Sequence, residues 1–94
     1  MNRNEALTIL RERITTLRAR PYSELVQYLN NATCDEVFAP GGQAYQIEVV
    51  VMWDDQTHSD LRVIASIDDG SLRWSFAPLV EDFIIRPDGT FLGE

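Results

Sequence analysis

Cysteine, histidine and long apolar runs are scarce in this sequence. It has one cysteine, Cys34, so it forms no intramolecular disulfide, which is typical of a small domain in a reducing compartment. No apolar run approaches the roughly 18 residues that a membrane span needs. The first 20 residues interleave arginine with leucine and isoleucine and have no continuous apolar signal segment. These absences predict a cytoplasmic globular protein that does not enter a membrane.

Basic residues are also few. The chain has 8 basic residues, all arginine, against 15 acidic residues, which gives a net charge of −7. Residues 1–21 hold five of the arginines and only two acids, whereas residues 22–94 hold three arginines and thirteen acids, a net of −10. Because nucleic acid binding needs a positive surface, this acidic body argues against a nucleic acid partner. We attribute the absence of lysine to the composition of the source genome.

The first third of the chain has the pattern of helices. Asn2 with Glu5 three residues later resembles a capping box. Apolar residues then recur at helical spacing, at Leu7, Leu10, Ile14 and Leu17. Pro21 ends this helix or begins the next one. Residues 22–29 predict a second, shorter helix, which Asn30 and Asn31 close, while residues 33–39 are ambiguous between strand and loop.

From Tyr45 the apolar residues alternate, which predicts strands. Residues 45–53 and 61–67 each have one apolar face, and Asp69-Gly70 is a preferred pair for a type I′ turn. We therefore predict a hairpin with Ile67 opposite Leu72 and Ala65 opposite Trp74. Residues 83–86 predict a further strand, and the turn at Pro87–Thr90 allows Phe91 and Leu92 to fold back as a short edge. On residues 54–60 we predict a polar loop.

These elements predict one α+β domain over residues 1–94. An amphipathic helix and a one-sided sheet each need the other for burial. We therefore expect two N-terminal helices packed on one face of a four- to five-stranded antiparallel meander sheet. Four arginines flank the helical apolar seam, at Arg11, Arg13, Arg18 and Arg20, where their stems cover the core edge and the acidic sheet supplies ionic partners.

Several segments of the second half resemble a family of short, uncharacterised bacterial proteins. The similar segments are Tyr45–Val49, Trp53–Asp55, Ser66–Gly70 and Asp82–Glu94. The resemblance implies a bacterial source and a free-standing domain. It implies no activity.

Catalytic machinery is sparse. The sequence has no Gly-x-Ser-x-Gly motif, phosphate loop or dinucleotide fingerprint. Cys34 and His58 have the chemistry of a thiol and its base, but no local signature accompanies them, and we interpret Cys34 as a small buried hydrophobe. We predict no catalytic residue and no cofactor.

Paired carboxylates leave a metal site open as an alternative. Asp68-Asp69 lies at the far end of strand 61–67, about 23 Å from Asp54-Asp55. The predicted meander brings the other candidates to one end of the sheet: Asp54, Asp55, His58, Asp60, Glu81 and Asp82. Such oxygen and imidazole ligands suit Mg²⁺, Mn²⁺ or Zn²⁺. No recognised ligand spacing is present, so we interpret these residues as solvated loops.

The outer face of the predicted sheet is the candidate interface. If Trp53 lies opposite Leu61, apolar side chains converge on the face that the helices leave open: Val50, Met52, Ile64, Ala77 and Ile84. A contiguous apolar patch indicates a contact surface. We therefore expect a non-catalytic protein-interaction module that binds a protein partner or a second copy of itself. The alternatives are an acidic inhibitor or immunity-type binder of a basic protein, and a metal-dependent enzyme built on loops 54–60 and 81–82.

Overall fold

The N-terminal segment forms one long helix, as the apolar spacing predicts. The computed structural model describes residues 2–70 and 79–93, and helix α1 spans Arg3–Arg18. The side-chain oxygen of Asn2 accepts a hydrogen bond from the backbone N–H of Glu5 at 3.1 Å. This bond satisfies one of the amides that a first helical turn leaves unpaired, so the predicted cap is confirmed.

The second helix is shorter than predicted. Helix α2 spans Tyr22–Leu25 and continues as a 3₁₀ turn over Val26–Tyr28. Asn30 ends the segment with a φ of 63°, a left-handed conformation that asparagine tolerates. The Tyr22 hydroxyl donates to the carbonyl oxygen of Ser59 at 2.7 Å and so attaches α2 to the loop between two strands.

Four antiparallel strands form a meander within the described residues. They are β1 (Thr33–Phe38), β2 (Ala44–Trp53), β3 (Leu61–Asp68) and β4 (Leu79–Ile85), in the spatial order β1-β2-β3-β4. The predicted α+β class and antiparallel sheet are confirmed, and the ambiguous segment proves to be strand β1. The fifth strand that residues 91–92 suggested is a single bridge between Phe91 and Ile85.

The register of β2 and β3 agrees with the alternating pattern. Trp53 lies opposite Leu61, and Val50 lies opposite Ile64. A one-residue slip in the pairing would move the apolar side chains of one strand from the buried face to the solvent face. Burial of one face therefore fixes this register.

The hairpin predicted around Asp69-Gly70 is wrong. Leu79 lies opposite Ile67, the place predicted for Leu72, and Glu81 lies opposite Ala65. Gly70 has a φ of 78°, but Asp69 is not in the positive-φ region that a type I′ turn requires. Apolar residues also alternate along β4. The apolar pattern alone therefore does not determine whether residues 72–76 or residues 79–85 pair with β3. The predicted partners Leu72, Trp74 and Phe76 lie outside the described residues.

The core lies between α1 and one face of the sheet, here called the inner face. Helix α1 packs on β3 and β4, and the 3₁₀ turn packs on β2. The buried strand residues alternate along the chain and all belong to this face: Tyr45, Ile47, Val49, Val51, Leu61, Val63, Ala65, Ile67, Phe83 and Ile85. Within the described residues, no helix has the length and apolar character that crossing a bilayer requires.

Tyr45 joins the sheet to the helix. Its side chain is fully buried, and its hydroxyl donates to Oε1 of Glu5 at 2.7 Å. This hydrogen bond to a carboxylate, together with burial, raises the pKa of Tyr45 to about 12. The inner face is therefore held by apolar contact, and the hydrogen bond of Tyr45 to Glu5 adds a polar link between α1 and β2.

Candidate functional site: the outer face of the sheet

The face opposite α1, here called the outer face, carries four of the five predicted interface residues. Val50 lies beside Ile64 in the middle of the sheet, and Met52 and Ile84 flank Arg62 in the next row. Val50, Ile64 and Ile84 are half-buried, and Met52 is exposed. We call this group, with Arg62, the outer-face patch. The fifth residue, Ala77, lies outside the described residues.

Arg62 occupies the middle of its row and is held by two carboxylates. Its Nε and Nη2 contact Oδ1 of Asp54 at 3.0 and 2.9 Å, and its Nη1 donates to Oδ2 of Asp82. Hydrogen bonds to Asp54 and then Asp82 raise the pKa of Arg62 above its ordinary value. The guanidinium is thus fixed in place between Met52 and Ile84, and the patch has an ordered shape.

Acidic residues surround the patch. Several carboxylates lie on or beside the outer face around Arg62; they are Glu36, Glu48, Asp54, Asp68 and Asp82. Two of them are bound to Arg62, and Glu36 accepts a hydrogen bond from the Gln46 amide at 3.4 Å. Glu48 has no ionic partner among the described residues and is exposed. The outer face is therefore negative around an apolar centre.

The C-terminal segment does not cover this face in the part that the structure describes. The backbone N–H of Arg86 donates to Thr90 at 2.8 Å, and this turn returns the chain along β4. Phe91 then packs edge-on against Phe83 with ring centroids 5.6 Å apart, and it joins the inner core. The predicted turn at residues 87–90 is confirmed. The tail extends the inner layer and leaves the outer-face patch open.

The loop between β2 and β3 is organised by Asp55. Its carboxylate accepts hydrogen bonds from the Ser59 backbone N–H at 3.0 Å and from the Thr57 and Ser59 hydroxyls, each at 2.8 Å. These bonds, the backbone one first, lower the pKa of Asp55 to about 2. Asp55 therefore serves to shape its own loop.

The acidic end predicted for a metal does not assemble. Glu81 and Asp82 lie inside β4, opposite Ala65 and Ile64, and point to opposite faces. Glu81 pairs with Arg11 on the helix side at 3.3 Å. The adjacent acids Glu81 and Asp82 indicated a loop, because charged pairs are rare in central strands. Strand β4 lies at the edge of the sheet, where charged residues are common. Within residues 2–70 and 79–93, no group of three or more histidine, cysteine or acidic side chains is placed to hold a metal ion.

Cys34 and His58 do not meet. Cys34 is exposed on β1 opposite Glu48, so its interpretation as a buried hydrophobe is wrong. His58 stacks on Trp53 with ring centroids 5.2 Å apart, at the far end of β2. Trp53 lies five positions after Glu48 along β2, which is about 17 Å at about 3.3 Å per residue. The two groups are too far apart to act as a thiol and its base.

Two features of the site escaped the sequence analysis. Val80 is 55% exposed beside Ser66, next to the patch, and becomes visible only once β4 is known to begin at Leu79. The double ion pair of Arg62 depends on the same register, since it brings Asp82 beside Arg62. The alternating sequence pattern predicts that Arg62 lies on the outer face, but it does not predict which residues of β4 lie beside it.

Comparisons with known proteins give no relative. No family model, no curated protein and no solved structure matches this chain. Its function must therefore be inferred from the geometry of its own surfaces.

Proposed function

We propose that this chain is a non-catalytic protein-binding module that binds a basic protein through its outer face. The observation that carries the proposal is the outer-face patch, an apolar centre with an acidic surround on a sheet face that the helices leave open. An apolar centre with a polar rim is the usual anatomy of a protein interface. The fixed guanidinium of Arg62 adds shape to that centre.

The apolar centre supplies the affinity in this proposal. Val50 and Ile64 are neighbouring β-branched side chains in the middle of the sheet and remain half-buried without a partner. A partner that covers them removes their remaining apolar area from water, at about 25 cal/mol per Å². Met52 offers a flexible side chain that adapts to the partner's surface.

Charge favours a different protein over a second copy. A two-fold contact through this face would place the acidic surround of one copy against the same surround of the other. Like charges across an interface oppose association, whereas a basic partner is attracted and steered to the site. The homodimer expected from the apolar residues alone is therefore the less favoured form of the proposal.

The same surface suits an acidic inhibitor or immunity-type binder. Such a protein neutralises a basic enzyme by covering its cationic site, and it needs no catalytic residues of its own. The metal-dependent alternative is less well supported, because Glu81 and Asp82 lie in β4 and Asp55 is engaged by its own loop. The two functions differ in their partner. An inhibitor binds an enzyme, whereas a general interaction module binds a protein of another kind.

The experiment compares wild type with Ile64→Lys, which places a cation in the outer-face patch. Thr8→Lys is the matched control, because Thr8 is exposed on α1, far from the outer face. Each protein is used to capture partners from source cells, and any protein lost with Ile64→Lys alone is purified. Calorimetry at several salt concentrations then measures its affinity for all three chains.

We expect a basic partner whose affinity falls with added salt, is lost in Ile64→Lys and is kept in Thr8→Lys. Both variants should retain the wild-type circular dichroism spectrum and melting temperature within a few degrees. Sedimentation of wild type over a wide concentration range tests the homodimer. Self-association that Ile64→Lys abolishes would replace the basic partner with a second copy, and equal capture by all three chains would refute the proposal.

A further inference from the structure

A second surface lies on the inner side, where α1 leaves β1 uncovered. Helix α1 packs on β3 and β4, so a groove remains between α1 and β1. Its volume is about 480 Å³, and Leu17 and Val49 form part of its apolar lining. It continues into a second hollow of about 650 Å³, with which it shares Arg20, Tyr28 and Thr33. We call the first hollow the α1–β1 groove. Its size falls within the range of small-molecule sites.

Two guanidinium groups line the groove from the same side of α1. Arg13 and Arg20 are seven residues apart, which is two helical turns or about 10.5 Å along the axis. Nη1 of Arg13 contacts Oδ2 of Asp35 at 2.9 Å, and Nη1 of Arg20 donates to the Tyr28 hydroxyl at 3.0 Å. The Arg20 guanidinium also lies over the Tyr28 ring, 5.9 Å from its centroid.

Arg20 is the less neutralised of the two. Its ionic partner among the described residues is Glu24, at the outer limit of 4.0 Å, and its hydrogen bond goes to a neutral hydroxyl. A guanidinium has five N–H donors, so most of those on Arg20 remain available. Two other arginines are engaged more closely: Arg62 is held by two carboxylates, and Arg11 pairs with Glu81 at 3.3 Å. On a chain of net charge −7, the groove therefore brings together two guanidinium groups, one paired with Asp35 and one only loosely paired.

We propose that the α1–β1 groove binds a small molecule that carries a phosphate or carboxylate group and a flat apolar body. Arg20 makes the main contact with the anion, because its planar fork matches both groups in a bidentate arrangement. Arg13 remains bonded to Asp35 and adds positive charge to the groove at longer range. The flat body lies against the half-buried Tyr28 and over the small part of Leu17 and Val49 that the groove exposes. This site is independent of the outer-face patch, which lies on the other side of the sheet.

The test is a titration of ¹⁵N-labelled protein with phenyl phosphate, followed through amide chemical shifts. Benzoate replaces the phosphate with a carboxylate, and benzyl alcohol keeps the ring without the charge. We expect saturable shifts confined to residues 13–20 and 28–35, with a dissociation constant of about 1 mM or below for this small probe. Phenyl phosphate or benzoate, or both, should saturate, and their order identifies the preferred anion. Benzyl alcohol should not saturate.

Arg20→Gln tests the anion contact, and Arg3→Gln is the matched control at the exposed start of α1. Loss of a charged hydrogen-bond donor should weaken binding at least tenfold in Arg20→Gln and leave Arg3→Gln unchanged. Arg13→Gln should weaken binding by a smaller factor. Neither arginine of the groove belongs to the buried core, so these variants should fold. Shifts that never saturate, equal binding of benzyl alcohol, or unchanged binding in Arg20→Gln would overturn the proposal.

Discussion

The two faces of the sheet differ in how far the rest of the chain covers them. On the inner face, every second residue of β3 is buried against α1, from Leu61 to Ile67. On the outer face, the intervening residues of the same strand are half-buried or exposed, and Ile64 does not belong to the core that packs under α1. The inner face is closed by the chain itself. The outer face keeps an apolar centre that is only half-buried within the described residues.

This difference separates stability from binding. Residues of the inner face lose apolar contacts and leave a cavity when they are truncated, so they determine the free energy of unfolding. Residues of the outer face lose little when the protein is alone, and in our proposal they act when a partner covers them. Substitutions of the same residue type on the two faces should therefore have different effects.

The largest expected effect compares Ile67→Ala with Ile64→Ala. The two residues lie in the same strand, but Ile67 is fully buried and Ile64 is only half-buried. Ile67→Ala should cost about 2–5 kcal/mol of unfolding free energy, and Ile64→Ala about 1 kcal/mol. Urea denaturation with a common m-value measures both. Equal losses would mean that the outer face is as closed as the inner face, and our comparison would be wrong.

A smaller effect concerns the polar link within the inner layer. The Tyr45 pKa is raised to about 12 in the folded protein, against an ordinary value of 10.0. The neutral phenol is favoured by folding, so this contribution is fully present below pH 10 and is lost as the pH rises towards 12. Wild type should therefore lose stability over this range, as measured by urea denaturation at successive pH values.

Tyr45→Phe gives the control for that pH dependence. It removes the hydrogen bond to Glu5, so it should lower the unfolding free energy at neutral pH by about 1–2 kcal/mol. It should also flatten the alkaline decline, since phenylalanine does not titrate. An undiminished decline in Tyr45→Phe would assign the pH dependence to another group.

The smallest effect on stability belongs to the outer face. Arg62→Gln breaks the ion pairs with Asp54 and Asp82, whose side chains are 20% and 45% exposed. Exposed and partly exposed ion pairs contribute little, so the loss should be below about 1 kcal/mol. Repeating the denaturation in 1 M NaCl should narrow the difference from wild type, because salt screens these charges. A loss comparable with that of Ile67→Ala would show that Arg62 supports the fold.

The sequence predicts the part of the candidate site that follows from the alternation of apolar and polar residues along the strands. The period of two assigned Val50, Met52 and Ile64 to one face, and burial of the opposite face fixed the register of the two strands. The acidic composition was visible as well. The partners of Arg62 were not, because Asp82 reaches it only through the pairing of β4 with β3. The groove between α1 and β1 was also hidden, since it depends on where α1 rests on the sheet.

By itself, the sequence determined the capped N-terminal helix, the inward alternation of β2 and β3, and the α+β class. These follow from local periodicity and capping, which need no knowledge of distant residues. Only the tertiary structure decided which segment pairs with the free side of β3. Two segments of the sequence, residues 71–77 and 79–85, have a similar apolar alternation. Strand pairing depends on contacts between residues distant in sequence, which local periodicity does not determine. The same pairing extends β4 over Glu81 and Asp82, and the alternation of a strand then places these two side chains on opposite faces of the sheet.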